Sequence, residues 1–370
     1  MILYAEGDFV YELKIAPPPG KAAMDAFSSF TPACPPLPPL GFGAAAIGNL
    51  YQPVAEEAAR AAVTAAVTAG IRYLDTAPHY GFGLSESRLG AVLAELDPGE
   101  ELVVSTKVGR VLVPVGAGAG PVRHGFADAA PYEPVFDYSY DGVMRSYAES
   151  RRRLGRNRID LLLAHDLGTV THGDDHAVHF RRFLDGGYRA MRELRDQGAV
   201  RAIGLGVNEW QVCLEAMSHA DFDVVLLAGR YTLLEQTALD AFFPACAARG
   251  VKVIVGGPYN SGILVNGTQG AAPLYYNYQP APAAIIDRVR RLEAACDRFD
   301  VPLAAAALQF PLAHPVVASV IPGMADAAQV AQTRALMDTV IPPELWQILG
   351  ADGLLHPDAP VPTPNTTKAA

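Results

Sequence analysis

Four side chains in this sequence could perform acid–base chemistry together. Asp75 and Tyr80 lie five residues apart in Tyr73-Leu74-Asp75-Thr76-Ala77-Pro78-His79-Tyr80-Gly81. Lys107 closes the apolar run Leu102-Val103-Val104-Ser105-Thr106-Lys107, and His165 closes Asp160-Leu161-Leu162-Leu163-Ala164-His165. A free tyrosine, with a pKa of about 10, is a poor proton carrier at neutral pH. A neighbouring ammonium favours the phenolate and lowers that value. A carboxylate beside the lysine keeps it charged and in place. A histidine can hydrogen-bond the reacting oxygen and assist proton transfer.

Each of these residues ends a strand-like run or opens the loop after it, so the surrounding elements must bring strand ends together. Short apolar or β-branched runs begin near Leu40, Ile71, Leu102, Ile159, Ala202, Val224, Val251 and Val317. Amphipathic, alanine-rich stretches begin near Ala55, Ser85, Asp141, Phe180, Gln211, Gln236, Ala283 and Ala325. Strands alternating with helices pair in parallel, and eight such units predict an α/β fold, a closed (β/α)8 TIM barrel; a doubly wound open sheet is the competing arrangement. Two connections, over 109–140 and 166–179, exceed a bare barrel turn. Both follow strands, so they would form long loops over the C-terminal face, where barrel active sites sit.

Residues 1–38 are proline-rich (Pro17-Pro18-Pro19, then Pro35, Pro36 and Pro38) and carry no sustained periodicity. They predict a disordered extension before a barrel at 39–356, with a disordered tail over 357–370. The net charge of −10 disfavours nucleic acid and anionic membrane surfaces as partners. The basic cluster Arg151, Arg152, Arg153, Arg156 and Arg158 reads as a solvated helix end. Cys34, Cys213, Cys246 and Cys296 show neither metal nor redox spacing, which suits a reducing, cytoplasmic setting. No apolar stretch approaches the roughly 20 residues of a membrane span, and the N-terminus lacks the pattern of a secretory signal.

Two further patterns carry less. Gly41-x-Gly43-x-x-Ala46 mimics a dinucleotide fingerprint, but prolines precede it and no helix follows directly. His172, Asp174, Asp175, His176 and His179 hold ligand-type side chains without an evident fourth ligand, so no metal site is assigned.

The set Asp75–Tyr80–Lys107–His165 resembles, residue by residue, the Asp–Tyr–Lys–His tetrad of the aldo-keto reductases, over roughly 40–349. Gly41-Phe42-Gly43-Ala44-Ala45, Gly206-Val207-Asn208-Glu209-Trp210, Leu227 to Leu234, and Gly256-Gly257-Pro258-Tyr259-Asn260-Ser261-Gly262 are similar to the D-threo-aldose 1-dehydrogenase branch, with its L-fucose and L-galactose dehydrogenases. Pyridoxal 4-dehydrogenases are similar too. The resemblance implies an NAD(P)-dependent oxidoreductase that oxidises the C1 hemiacetal of an aldose (L-fucose, L-galactose or D-arabinose type) to the lactone by direct hydride transfer, without a metal. A pyridoxal dehydrogenase and an NADPH-dependent aldehyde or ketone reductase are the alternatives; a dinucleotide-binding regulatory subunit is disfavoured by the intact tetrad. By the same resemblance, Asn208 binds the nicotinamide carboxamide, and Gly43, Ser261, Gly262, Gly323 and Gln329 line the cofactor. The stacking tyrosine of the family aligns near Gly256, with Tyr259 as its substitute, and Ala228 stands where a carboxamide-binding glutamine is usual. NADP-preferring members carry cations where this chain has Gly323-Met324-Ala325-Asp326, which favours NAD over NADP.

Overall fold

The computed structural model describes residues 3–6, 9–12, 34–116, 120–270 and 273–363. Residues 1–31 and 32–370 form two compact units. In the first, Leu3–Glu6 and Phe9–Glu12 pair antiparallel. The extension over 1–38 was expected to lack structure; it contains this strand pair, and the remainder of 1–33 lies outside the described residues.

In the second unit eight strands run parallel: β1 (Phe42–Gly43), β2 (Tyr73–Asp75), β3 (Val103–Val108), β4 (Ile159–His165), β5 (Val200–Val207), β6 (Val224–Ala228), β7 (Lys252–Gly256) and β8 (Val317–Ile321). They hydrogen-bond in chain order. Bridges Leu40↔Val320 and Gly43↔Gly323 join β1 to β8 and close the barrel. The competing open sheet would have left both edges unpaired. Helices α1 (Glu56–Thr68), α2 (Leu84–Leu96), α3 (Tyr140–Leu154), α4 (Tyr188–Asp196), α5 (Gln211–Met217), α6 (Phe242–Arg249), α7 (Ala283–Asp297), α8 (Leu303–Gln309) and α9 (Ala327–Asp338) follow the strands, and α10 (Pro343–Ala351) comes last. Among the described residues no helix is long and apolar enough to cross a membrane.

The period of two along a strand decides what enters the barrel. Leu161 and Leu163 of β4 join Tyr73, Ala202, Val224, Leu226, Ile254 and Ile321 in an interior cluster. His165 continues that alternation one layer higher, as Asp75 does above Tyr73. Cys34 and Leu37 pack against the same cluster, so the ordered chain of this unit starts before residue 39. At the other end, Ala359 packs on the outer core and 357–363 are described, whereas 364–370 lie outside the described residues.

Two differences from the sequence expectations have simple causes. The 109–140 connection, expected as a long loop, contains strands that were not read in the sequence: Arg110–Pro114 pairs with Tyr132–Phe136, and Val122–Arg123 with Phe126–Ala127. Its β-branched and aromatic residues are strand formers hidden among glycines and prolines. The arginine cluster at the end of α3 is not simply solvated. Arg153 donates to Glu86 at 2.6 Å, and Arg156 to Asp97 at 2.8 Å, all four largely buried. These pairs bolt α3 and the turn after it to α2.

Candidate active site

The tetrad forms the top layer of the barrel interior. Lys107 is 1 % exposed. Its Nζ donates to Asp75 Oδ2 at 2.8 Å and to the Thr76 carbonyl at 2.9 Å. Asp75 Oδ1 accepts from Ser105 Oγ at 2.6 Å, and Ser105 lies 2.9 Å from the Tyr73 hydroxyl. The carboxylate is therefore held from below by interior side chains of β2 and β3. Gly206 of β5 makes room for the lysine: a Cβ there would stand 3.1 Å from Lys107 Cε.

Lys107 Nζ lies 4.7 Å from the centre of the Tyr80 ring, and the His165 ring packs edge-on to Tyr80 at 6.0 Å. All four expected residues thus converge. Burial pushes the Tyr80 phenol up to about 12, while Lys107 pulls it down and Asp75 pushes it up. Burial alone would depress Lys107, but Asp75 and Tyr80 together outweigh it and hold the ammonium raised. His165 is held well below its usual value by burial, with Arg110 and Lys107 adding to the effect. The centre at rest is a phenol, an ammonium, a carboxylate and a neutral imidazole.

A second ring of polar contacts, unread in the sequence, surrounds the tetrad. Asp166 follows His165 directly, in the left-handed region at φ 48°. Its Oδ2 accepts from Arg110 Nη2 at 2.5 Å, its Oδ1 accepts from Asn208 Nδ2 at 3.1 Å, and His165 Nε2 lies 3.4 Å from Oδ2. Arg230 Nε donates to the Asn208 carbonyl at 2.8 Å. The signal for this ring was available: Arg110 stands three residues beyond Lys107, and Asp166 one beyond His165. Tyr138, fully buried, donates to the His165 carbonyl at 2.6 Å and occupies space that any Cβ on Gly109 would invade. It ties the long hairpin loop to the end of β4. A third long connection, 257–282, was not singled out in the sequence; its Tyr275–Tyr276 and Gln279–Pro280 pair antiparallel.

His79 faces His165 at 5.9 Å and Phe126 at 5.2 Å, and its Nδ1 is buried without a partner. Burial lowers its pKa to about 2, helped by Arg110 and His165. His172, bonded to Tyr138, is lowered to about 4 by burial and by His179. These neutral imidazoles link stability to pH. An unfolded histidine takes up its proton near pH 6.5. Below that pH the unfolded chain binds more protons than the fold, so stability falls as pH drops, by up to about 1.4 kcal/mol per pH unit for the deeply buried His79 and by less for the partly exposed His172, whose charge water screens. Thermal scans should show Tm falling between pH 6.5 and 5, with a shallower slope in His79→Gln; a wild-type Tm unchanged over that range contradicts the buried-neutral assignment.

The residues expected at a dinucleotide divide into two groups. Asn260, Ser261 and Gly262 adopt consecutive positive φ values after β7, and the Asn260 Oδ1 is buried and unpartnered. Gly323 after β8 has open space where a Cβ would stand. The Asn260 and Gly262 N–H groups bond within their own turn, to the Gly257 and Tyr259 carbonyls at 3.1 and 3.0 Å, and a concave turn of this kind after a strand can seat a pyrophosphate. Asn208 stands beside His165 through Asp166. These positions fit a nicotinamide dinucleotide. Other expected positions have different uses. The Gly43 N–H donates to the Pro322 carbonyl at 2.9 Å in closing the barrel. Gln329 caps α9: its N–H donates to Asp326 Oδ1 and its Oε1 accepts from the Ala325 N–H, both at 2.8 Å. Tyr259 packs on the core between barrel and helices, its hydroxyl buried without a partner.

A closed eight-stranded parallel barrel with a buried lysine–carboxylate pair, a tyrosine and a neutral histidine at its C-terminal mouth defines a nicotinamide-dependent oxidoreductase. The aldo/keto reductase family model matches residues 39–351, and the chain belongs to that family. Among its relatives, pyridoxal 4-dehydrogenase of Microbacterium luteolum is 44% identical over 85% of this chain and 94% of its own length. D-threo-aldose 1-dehydrogenase of a Pseudomonas species is 40% identical over 89% and 96%. The holo form of an aldo-keto reductase from Bacillus halodurans superposes with a TM-score of 0.64 at 27% identity, over 88% of this chain and 94% of that one.

Proposed function

We propose that the protein oxidises the C1 hemiacetal hydroxyl of an aldose of the L-fucose, L-galactose or D-arabinose type to the lactone, with NAD as the preferred acceptor. The convergence of Tyr80, Lys107, Asp75 and His165 carries this reading, and the likeness to the Pseudomonas aldose dehydrogenase supports the substrate class. Bound nicotinamide dinucleotide supplies the hydride acceptor. Asn208 would hold its carboxamide, and the Ser261–Gly262 and Gly323 loops its phosphates. Tyr80 takes the proton of the anomeric hydroxyl at its phenolic oxygen. Lys107 favours the phenolate, and Asp75 anchors Lys107. His165, neutral, hydrogen-bonds the substrate oxygen and excludes water from one side.

The preference for NAD rests on α9. A 2′-phosphate needs charge-assisted donors. Here Asp326 caps the helix N-terminus, and Arg334, the nearest cation along α9, stands 3.6 Å from Asp338 in the opposite direction. Four cysteines without disulfides, three of them buried, support a cytoplasmic location.

A second reading, oxidation of pyridoxal, is favoured by the 44% identity to the Microbacterium enzyme and by the aromatic wall of Phe126 and His79 beside Tyr80. Initial rates with NAD+ and NADP+ against L-fucose, L-galactose, D-arabinose, D-glucose and pyridoxal separate them. NAD+-linked oxidation of the threo sugars is the expected result. Activity confined to pyridoxal moves the substrate and keeps the chemistry. NADPH-dependent aldehyde reduction, without oxidation of any of these compounds, overturns both the direction and the preference for NAD.

A further inference from the structure

Asp166 lies outside the tetrad, yet Arg110, Asn208 and His165 all meet at its carboxylate. An ionised carboxylate only accepts hydrogen bonds. The Asn208 amide must therefore turn its Nδ2 toward Asp166, as it does at 3.1 Å. Its Oδ1 is then the atom left for a ligand. Arg110 fixes the other carboxylate oxygen at 2.5 Å, with both side chains about 10 % exposed. Arg230 Nε holds the Asn208 backbone from the far side at 2.8 Å. The amide is thereby locked in one of its two orientations.

We propose that Asp166, pinned by Arg110, is a positioning residue that sets the polarity of Asn208, and through it the selectivity of the site for the primary carboxamide of a pyridine dinucleotide. The assignment rests on the proposed role of Asn208 at that carboxamide. An outward Oδ1 accepts from the carboxamide NH2 and repels a carboxylate. With Asp166→Asn, Arg110 still requires an acceptor and keeps the side-chain oxygen of the substituted residue. The new NH2 then faces Asn208, whose amide must turn over to present its own NH2 outward. Asparagine tolerates the left-handed backbone that Asp166 adopts.

The test compares two dinucleotides by quenching of protein fluorescence: NAD+ and nicotinic acid adenine dinucleotide, which carries a carboxylate in place of the carboxamide. Wild-type protein should bind NAD+ on the order of tenfold more tightly than the acid, the scale of one charge-sensitive hydrogen bond. Asp166→Asn should shift that ratio toward the acid by a similar factor. Asn208→Ala should bring it near unity and serves as the second variant if Asp166→Asn folds poorly. General loosening of the fold would weaken both dinucleotides alike and leave their ratio fixed. A ratio unmoved in both variants overturns the assignment while the proposed function stands. Wild-type protein that binds neither NAD+ nor NADP+ overturns the proposed function and this assignment with it.

Discussion

Tyr80→Phe should lower kcat for sugar oxidation by about 10²- to 10⁴-fold, the range expected when a positioned acid–base group is lost. The hydroxyl is the only group removed, and the ring still packs against Phe126 and His165. Dinucleotide affinity should therefore stay within about twofold, since the expected cofactor loops lie after β7 and β8. The pH profile adds a second signature. Burial pushes the Tyr80 phenol up to about 12 despite Lys107, so at neutral pH it is protonated. Oxidation needs it to accept a proton, and its rate should climb steadily from pH 7 to 10. Reduction of the lactone or an aldehyde needs it to donate and should be flat over the same range. The residual oxidation by Tyr80→Phe should lack the climb. Comparable turnover in the variant, or the same pH slope, would remove Tyr80 from the proton-transfer step.

The chemistry was legible because of where it stands in the strands. Asp75, Lys107 and His165 each end a run of apolar residues, and parallel strands in a closed barrel present those ends to one face. The period of two then separates inward from outward positions, so Leu161, Leu163 and His165 belong to one stack. All eight strands fell within two residues of the starts expected for them, since buried parallel strands are continuous apolar runs with little ambiguity.

What the pattern concealed depends on contacts between distant segments. Arg153 and Arg156 looked solvated because local charge density predicts exposure; their partners, Glu86 and Asp97, come from the preceding helix and its end. The two-residue strands in the loop after β7 are too short for a periodic signal, and the five-residue pair after β3 is masked by the glycines and prolines between its strands; both are held by cross-strand pairing. Gly43 and Gln329 matched family positions, yet a glycine N–H and a glutamine amide are general-purpose groups. Here barrel closure and a helix cap use them first. The Arg110–Asp166–Asn208 ring was missed for a related reason: its members sit at strand ends, but only distance shows that they share one carboxylate.

The buried pair beneath the tyrosine carries the second large effect. Lys107→Met removes the ammonium and leaves the Asp75 carboxylate buried, with Ser105 Oγ as its remaining side-chain donor. Breaking a buried ion pair on one side costs about 3–5 kcal/mol. The variant should lose that much stability in urea and, with Tyr80 no longer drawn toward its phenolate, fall in kcat by at least about 10²-fold. The two losses have different origins and can be separated. In Asp75→Asn/Lys107→Met neither charge of this pair remains, and the amide can still accept from Ser105. That double variant should recover most of the lost stability, as apolar or neutral replacements of buried pairs commonly do. It should not recover activity, because the ammonium beside the Tyr80 ring is still missing. Denaturation midpoints and kcat measured on the same preparations decide the matter. Recovery of both would mean that Lys107 only supports the fold. Full stability in Lys107→Met alone would mean that Asp75 does not carry its charge in the folded protein.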